Sequence, residues 1–217
     1  MNNSLVNWQG ATPPAPVTLH GQYVTLEPLE AKKHSAALWQ AIEGHDALWT
    51  WLPEGPFATE AKFRAAVEKK QTAPGFVFLA IVPAATGRAA GWASLMRPDP
   101  ANGVIEVGFI LYSPALQRTR EATEAMYLMM RHVFEDLGNR RYEWKCNALN
   151  EPSRRAAARL GFTYEGIFRQ HMVVKGHNRD TAWFSILDSE WPARKQAFEA
   201  WLAPGNFDEA GTQKQPL

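Results

Sequence analysis

The chain reads GVIEVGFILYSPALQRTREATEAM over residues 103–126. Residues 103–111 are mostly β-branched or aromatic, which favours a strand. A loop follows, and from Glu121 onwards the apolar residues recur at helical spacing. Unpaired amides and the helix dipole make such a helix N-terminus attractive to anions, and Arg118 and Arg120 add positive charge there. We therefore predict an anion-binding loop before this helix; the alternative is an ordinary solvated loop.

Upstream of this stretch, the pattern predicts further strands and two helices. The turn residues ATG and RPDPAN separate three apolar runs, as in an antiparallel meander. An alternating segment with a glycine turn, residues 17–29, predicts a strand pair or one bent strand. The meander strands are predicted at 76–84, 88–96 and 103–111, and the helices at 30–43 and 59–70, the second with Thr59 as its N-cap.

Downstream, helices and strands alternate. We predict helices at 121–137 and 190–202 and strands at 140–148, 163–175 and 180–187, the last two joined by GHN. A short helix capped by Asn150 ends at Gly161. Because a helix connects strands 103–111 and 140–148, these strands are expected to run parallel. The predicted fold class is α/β, a single domain with a mixed, mostly antiparallel sheet flanked by helices.

Length and charge limit the classes of function. A chain of 217 residues is long enough for one large domain, which we place at 17–203 between a flexible arm, 1–16, and a polar tail, 204–217. The formal net charge is +1, with 23 Lys plus Arg against 22 Asp plus Glu, so no global field favours nucleic acid or a membrane surface. We expect neither partner, and a homodimer remains open.

Cysteine content and the length of the apolar stretches indicate the cellular compartment. The single Cys146 excludes an intramolecular disulfide. The first residues have neither the basic region nor the apolar core of a signal peptide. The longest apolar stretch, which begins at Phe76, is too short to cross a bilayer. We therefore expect a cytoplasmic protein.

Two segments make a family resemblance specific. QRTREA, residues 117–122, follows a strand, and NEPSRRAAARLGF, residues 150–162, follows the next one. This arrangement resembles the GNAT N-acetyltransferase superfamily over residues 17–191, and HGQYVTLEPL, residues 20–29, resembles its branch of ribosomal-protein N-terminal acetyltransferases. The resemblance implies a sheet splayed to admit CoA, acetyl-CoA as cosubstrate, no metal, and direct attack by an amine of a protein N-terminus or a small molecule.

The resemblance also implies which residues bind acetyl-CoA. The backbone of the splayed strand would pair with the pantetheine arm at Phe109, Ile110 and Leu111. The loop that would hold the pyrophosphate comprises Gln117, Arg118, Thr119, Arg120, Glu121 and Ala122. Thr123 would offer its hydroxyl to the same phosphates; its alternative role is a helix cap, and the two roles are compatible. Arg120 stands where the common pattern has its first glycine, and we expect its guanidinium to contact phosphate instead.

Asn150 and Ser153 form the second set that the resemblance implies. From the residues alone, Asn150 is only a helix cap. In similar enzymes the asparagine bonds the pantetheine arm and the serine lies near the sulfur, where it could protonate the departing thiolate. Arg154 and Arg155 are secondary candidates for the phosphates, because exposed helical arginines are usually only solvated.

Glu106 is the predicted catalytic base. A carboxylate within an apolar strand is costly to bury unless it is paired or useful, and the resemblance places an acidic residue at this point. The alternative is a glutamate that faces solvent. Tyr112, Tyr164 and Glu165 are the next candidates.

Other reactive residues are interpreted as structural. Cys146 is a nucleophile only if His171 or His177 serves it, and a small core residue is the better interpretation. Neither histidine has a third metal ligand at recognisable spacing. The aromatic segment 48–57 predicts core packing or the lining of a pocket for an apolar acceptor or acyl group. A CoA-binding sensor with little turnover is the alternative function.

Overall fold

One mixed sheet organises the chain in the computed structural model, which describes residues 5–209 and 211–217. Eight strands of these residues pair in the order β1-β2-β3-β4-β5-β6-β8-β7. The strands are β1 Leu19–His20, β2 Val24–Pro28, β3 Phe76–Pro83, β4 Gly91–Asp99, β5 Val104–Tyr112, β6 Arg141–Asn147, β7 Thr163–Val174 and β8 His177–Leu187. The α-helices are α1 Ala31–Ile42, α2 Glu60–Gln71, α3 Arg120–Arg131, α4 Glu151–Arg159 and α5 Trp191–Leu202.

The predicted α/β fold class is confirmed, with its antiparallel meander and its helix-linked parallel pair. β5 pairs parallel with β6, and every other neighbouring pair is antiparallel. The predicted helix 121–137 consists of α3 and a π-helical turn, His132–Asp136. Among the described residues, no helix combines the length and the apolar character that crossing a membrane requires.

The turn between β7 and β8 differs from the predicted GHN turn. β8 begins at His177, so that the turn lies at Lys175 and Gly176, whose φ angles are 50° and 78°. Two consecutive residues with positive φ are typical of a two-residue hairpin turn, because their twist matches that of the strands. The hairpin is therefore longer than predicted.

Each face of the sheet carries its own core. Ile105 and Val107 of β5 pack in the cluster that contains the apolar residues of α3 and α5. Phe78 and Trp92, on the opposite face, pack with residues of α1 and α2. This alternation follows from the two-residue period of a strand, and it gives a three-layered domain.

β5 and β6 diverge after a short paired region. Their register runs from Val104–Arg141 to Val107–Trp144, beyond which β5 pairs with β4 alone. Between the pairs Ser94–Gly108 and Trp92–Leu111, β5 contains one more residue than β4, and Phe109 there has a φ of 49°. A bulge of this kind bends its strand and increases the local twist. The sheet therefore opens into the splayed form that the resemblance implied.

Residues on both sides of the proposed domain limits contact the sheet domain. Trp8 donates from Nε1 to the carbonyl of Ala101 at 2.7 Å. At the other end, Trp201 donates from Nε1 to Oε1 of Gln213 at 2.8 Å, and Phe207 is buried. The limits at residues 17 and 203 stay a prediction.

Glu124 of α3 fixes the turn between β1 and β2. The backbone amides of Gln22, Tyr23 and Val24 donate to its buried carboxylate at 2.8, 2.6 and 2.8 Å. A Cβ atom at Gly21 would come within 2.5 Å of this carboxylate, so the close approach requires glycine. Three charge-assisted hydrogen bonds thus hold the first hairpin against α3.

We expect Glu124→Gln to lower the free energy of unfolding by about 1–3 kcal/mol, because the amide turns a donor towards backbone donors and leaves some of them unpaired. Chemical denaturation followed by tryptophan fluorescence measures the change. Glu68→Gln is the control, since this exposed partner of Arg64 should change stability by less than about 0.5 kcal/mol. Equal losses in the two variants would contradict the role given to Glu124.

Candidate active site

The divergence of β5 and β6 opens a cleft of about 1510 Å³. All the site residues predicted from the sequence line it, although they come from three separate segments of the chain. They are Glu106, Phe109, Ile110, Leu111, Gln117, Arg118, Thr119, Arg120, Glu121, Ala122, Thr123, Asn150 and Ser153. The structure therefore brings the predicted residues to one place, and their individual roles stay predictions.

The open edge of β5 forms one wall of the cleft. Residues 108–112 lie beyond the last β5–β6 pair, so their backbone has no partner on β6. Unpaired backbone donors and acceptors on a strand edge can hydrogen-bond an extended, amide-containing ligand. Phe109, Ile110 and Leu111 stand at this edge.

Thr119 caps α3 at the mouth of the cleft. Its Oγ1 accepts a hydrogen bond from the amide of Ala122 at 3.1 Å and donates to the carbonyl of Leu116 at 2.7 Å. The proposed alternative role of Thr123 as the cap is therefore wrong. The hydroxyl of Thr123 donates to the carbonyl of Thr119 at 3.2 Å and accepts from Nη1 of Arg159 at 3.1 Å.

Arg120 occupies the position of the missing glycine without backbone strain. The positive φ of this loop, 62°, belongs to Arg118, and Arg120 is the first residue of α3. The guanidinium of Arg120 lies 4.2 Å from the ring centre of Tyr23 and 5.5 Å from that of Phe207. The loop thus forms without a glycine at residue 120, and the contact of Arg120 with phosphate stays a prediction.

The positive charge at this end of the cleft exceeds what the sequence indicated. Arg155 and Arg159 line the cleft with the two loop arginines, whereas Arg154 lies outside its lining. Burial lowers the pKa of Arg159, whose guanidinium lies 4.9 Å from the ring centre of Trp201. The signal for Arg159 was its spacing of four residues from Arg155, which places both on one helix face.

Asn150 caps α4, as the sequence predicted. Its Oδ1 accepts a hydrogen bond from the amide of Ser153 at 3.2 Å. The Oγ of Ser153 accepts from Nε1 of Trp144 at 3.0 Å, which leaves the hydroxyl proton available for another acceptor. Cys146 also lines the cleft, and burial raises the pKa of its thiol, which disfavours the nucleophilic thiolate.

Glu106 is buried and paired, so the solvent-facing alternative is wrong. Its side chain is 4% exposed, and its Oε2 lies 2.9 Å from Nη1 of Arg97 and 3.1 Å from Nζ of Lys145. Both cations contact the same oxygen. No residue in the described part of the chain hydrogen-bonds Oε1, which remains available to a ligand.

A row of alternating charges extends from Glu106 along the same face of the sheet. Lys145 lies 2.7 Å from Oε2 of Glu143 and 3.8 Å from the ring centre of Trp183. Arg141 bridges Glu143, at 2.7 Å, and Glu165, at 2.6 Å. These contacts compensate the burial of Glu106, Glu143 and Lys145.

The other candidate bases fit less well. Neither Glu165 nor Tyr164 lines the cleft. Tyr112 lines it, but burial raises the pKa of its phenol, which donates to the carbonyl of Ala122 at 3.4 Å. The two histidines also lie outside the lining, and Nδ1 of His171 is 3.0 Å from Oγ1 of Thr181.

The β7–β8 hairpin supplies cleft residues that sequence reasoning missed. Met172 and Arg179 line the cleft from paired positions of the two strands. At the tip, Nζ of Lys175 donates to the carbonyl of Trp49 at 2.8 Å, which joins the hairpin to the α1–α2 loop. The aromatic segment 48–57 serves both predicted purposes: Trp49 is buried in the core, and Trp51 lines the cleft.

Comparison with known proteins identifies the family. The sequence model of the acetyltransferase (GNAT) domain matches residues 24–163. The crystal structure of a GCN5-related N-acetyltransferase from Brucella melitensis has a TM-score of 0.95 and 54% identity, and the match covers 98% of this chain and 97% of that one. A probable acetyltransferase of the GNAT family from Chromobacterium violaceum has a TM-score of 0.82 and 39% identity, over 88% of this chain and 96% of that one.

The curated relatives match a smaller part of this chain than the solved structures do. The protein named "Putative ribosomal N-acetyltransferase YdaF" of Bacillus subtilis is 29% identical over 109 residues, which are 50% of this chain and 59% of that protein. The chain thus spans little more than half the length of this relative. The name of this relative agrees with the resemblance to the ribosomal branch. Because the domain model covers well over half of the sequence and the fold is the same, the chain belongs to the GNAT acetyltransferase family.

Proposed function

We propose that this chain transfers the acetyl group of acetyl-CoA to an amine by direct attack. The observation that carries the proposal is the cleft itself. It joins a helix N-terminus with arginines, an open strand edge and a buried carboxylate with one oxygen available, Oε1 of Glu106. Membership of the GNAT family supports the same reaction.

The residues of the cleft fit acetyl-CoA. The first amides of α3 have no acceptor within the helix, and Arg118, Arg155 and Arg159 surround them with positive charge suited to phosphates. The open edge at Phe109–Leu111 suits the amides of a pantetheine arm. The cleft volume of about 1510 Å³ leaves room for a second substrate. Acetyl-CoA supplies the acetyl group as an activated thioester.

The side chains of the cleft would then move two protons. An attacking amine must be neutral, whereas a lysine amine has a pKa of about 10.4 and an α-amine one of about 7.7–8. Oε1 of Glu106 accepts the proton that the amine loses. As the carbon–sulfur bond breaks, the hydroxyl of Ser153, whose oxygen already accepts from Trp144, donates its proton to the departing sulfur and regains one from water. A backbone amide near Ile110 polarises the thioester carbonyl.

The acceptor is an amine of a protein N-terminus or of a small molecule. The printed name of the Bacillus subtilis relative supports the first. The alternative is a CoA-binding sensor with little turnover, which binding of acetyl-CoA without release of CoA thiol in the presence of any amine would favour. We also propose a cytoplasmic location, since the only cysteine is an unpaired thiol.

Acetyl-CoA is expected to raise the melting temperature, because a ligand that binds only the folded state stabilises it by about 2.7 kcal/mol at 100 times its Kd. A thermal shift assay with acetyl-CoA, NAD and ATP measures this, and acetyl-CoA should give the largest shift. An unchanged melting curve at millimolar acetyl-CoA would remove the basis of the proposed function.

Cys146→Ala should leave turnover largely intact, since direct attack forms no acyl-enzyme. Release of CoA thiol in the presence of an amine measures the rate. Mass spectrometry that finds an acetyl group on Cys146 and its later transfer to the amine would overturn direct attack.

Glu106→Gln should lower the acetylation rate by about 10²- to 10⁴-fold, the usual value of general-base catalysis, with little change in the affinity for acetyl-CoA. The defect should be largest at low pH and shrink near pH 9, because the free amine becomes abundant as pH approaches the amine pKa. Rates of CoA release against pH, together with acetyl-CoA titrations, measure both effects.

Glu143→Gln is the matched control for this variant. Glu143 pairs with the same Lys145 but does not line the cleft, so Glu143→Gln removes a carboxylate from the same row without removing the proposed base and should lower the rate much less than Glu106→Gln. Equal defects in the two variants, or loss of acetyl-CoA binding in Glu106→Gln, would show that Glu106 is structural.

A further inference from the structure

Arg179 lines the cleft without a counter-ion. It lies on β8 opposite Met172 of β7, and both side chains line the cleft. In the described part of the chain no carboxylate forms an ion pair with it. Its Nε is buried and has no hydrogen-bond partner. The guanidinium is thus a charge whose interactions within the protein are incomplete.

The neighbouring charges do not compensate Arg179, because they pair with one another. The row of charges beside it contains three cations and three carboxylates, and each member has an opposite charge within 4.0 Å. The pairs are Arg97–Glu106, Lys145–Glu106, Lys145–Glu143, Arg141–Glu143 and Arg141–Glu165. Arg179 therefore adds a positive charge beside this row that no carboxylate of the described residues pairs with.

An unpaired charge in this position is costly. Partial burial removes water from the guanidinium, and it lowers the pKa of Arg179. A cation retained in a cleft at such a cost indicates a site for a ligand.

Arg179 lies at the Glu106 end of the cleft. The charged or titratable groups that act on it electrostatically are Cys146, Glu106 and Arg97. The phosphate end already has its own cations in the loop before α3 and on α4. Arg179 is therefore available to the acceptor rather than to the phosphates of acetyl-CoA.

Apart from the paired charges around Glu106, the hairpin and the α1–α2 loop contribute apolar side chains to the cleft. Met172 and Val174 line the cleft from the hairpin, and Leu48 and Trp51 line it from the α1–α2 loop. The contact between Lys175 and the carbonyl of Trp49 joins these two parts. A ligand at this end would meet apolar walls and one cation with available donors.

We infer that Arg179 binds a carboxylate of the acceptor, so that the preferred substrates are amines that carry a carboxylate close to the reacting nitrogen. The inference rests on the proposed function and adds the substrate class to it. A guanidinium binds a carboxylate through two parallel hydrogen bonds, which fixes the orientation of the acceptor as well as its position. The carboxylate belongs to a free amino acid or to an acidic residue near a peptide N-terminus.

The test compares matched acceptors. Amidated tetrapeptides carry Asp or Asn at the first, second or third position, and L-phenylalanine is compared with L-phenylalaninamide. We expect the acidic member of at least one pair to have a kcat/KM about 10- to 100-fold above its neutral partner, the usual value of a hydrogen bond between charged groups. A preference among the tetrapeptides would indicate an acidic side chain of a peptide, and a preference for L-phenylalanine over its amide would indicate a free amino acid.

Three variants show whether Arg179 causes the preference. Arg179→Gln should abolish it while leaving the KM for acetyl-CoA nearly unchanged. Arg179→Lys should retain part of it, because the charge remains without the planar fork. Arg169→Gln, a control on the same hairpin whose arginine is exposed and does not line the cleft, should behave as the parent protein.

Four outcomes would overturn the inference. Acetylation with no preference in any pair would exclude a carboxylate site while leaving the proposed function intact. A preference that persists in Arg179→Gln would assign the carboxylate to another residue. A large rise in the KM for acetyl-CoA without a change of preference would make Arg179 a cosubstrate contact. No transfer to any amine, with acetyl-CoA bound, would overturn both proposals.

Discussion

The early end of pairing between β5 and β6 is the constraint on which the site depends. The two strands share a register only from Val104–Arg141 to Val107–Trp144, and the bulge at Phe109 then turns β5 aside. Closing this gap would pair the backbone edge within the sheet and remove the cleft. The backbone hydrogen bonds between β5 and β6 are therefore absent where the cleft opens.

Two hydrophobic clusters stabilise the sheet although β5 and β6 are only partly paired. The cluster under α3 and α5 and the cluster under α1 and α2 cover opposite faces of the same strands. A buried carboxylate, Glu124, ties the first hairpin to α3 through three backbone amides. α3 therefore has a fixed position, which in turn fixes the direction of its N-terminus and of the loop before it.

Electrostatics divide the cleft into two ends. Arginines of the loop and of α4 gather where the first amides of α3 are unpaired, which suits phosphates. At the other end, one oxygen of Glu106 contacts two cations, and further paired charges follow along the sheet. Arg179 is the exception at that end. The same cleft thus offers different chemistry to a cosubstrate and to an acceptor.

Local sequence determined the elements of this protein and the segments that carry the candidate cofactor residues. Alternation and helical spacing are short-range patterns, and caps such as Thr59 and Asn150 act within one helical turn, so neighbouring residues suffice to predict them. The family resemblance then placed the remaining cofactor residues.

The Glu106 end of the cleft was decided only by tertiary structure. Lys145 reaches the cleft from β6, which pairs with β5. Arg179 reaches it from β8, which pairs with β6, and Arg97 from β4. Whether a charge is paired, as in Glu106, or left without a partner, as in Arg179, depends on residues distant in the sequence. Long-range strand pairing, which has no local signal, therefore decided which charges meet.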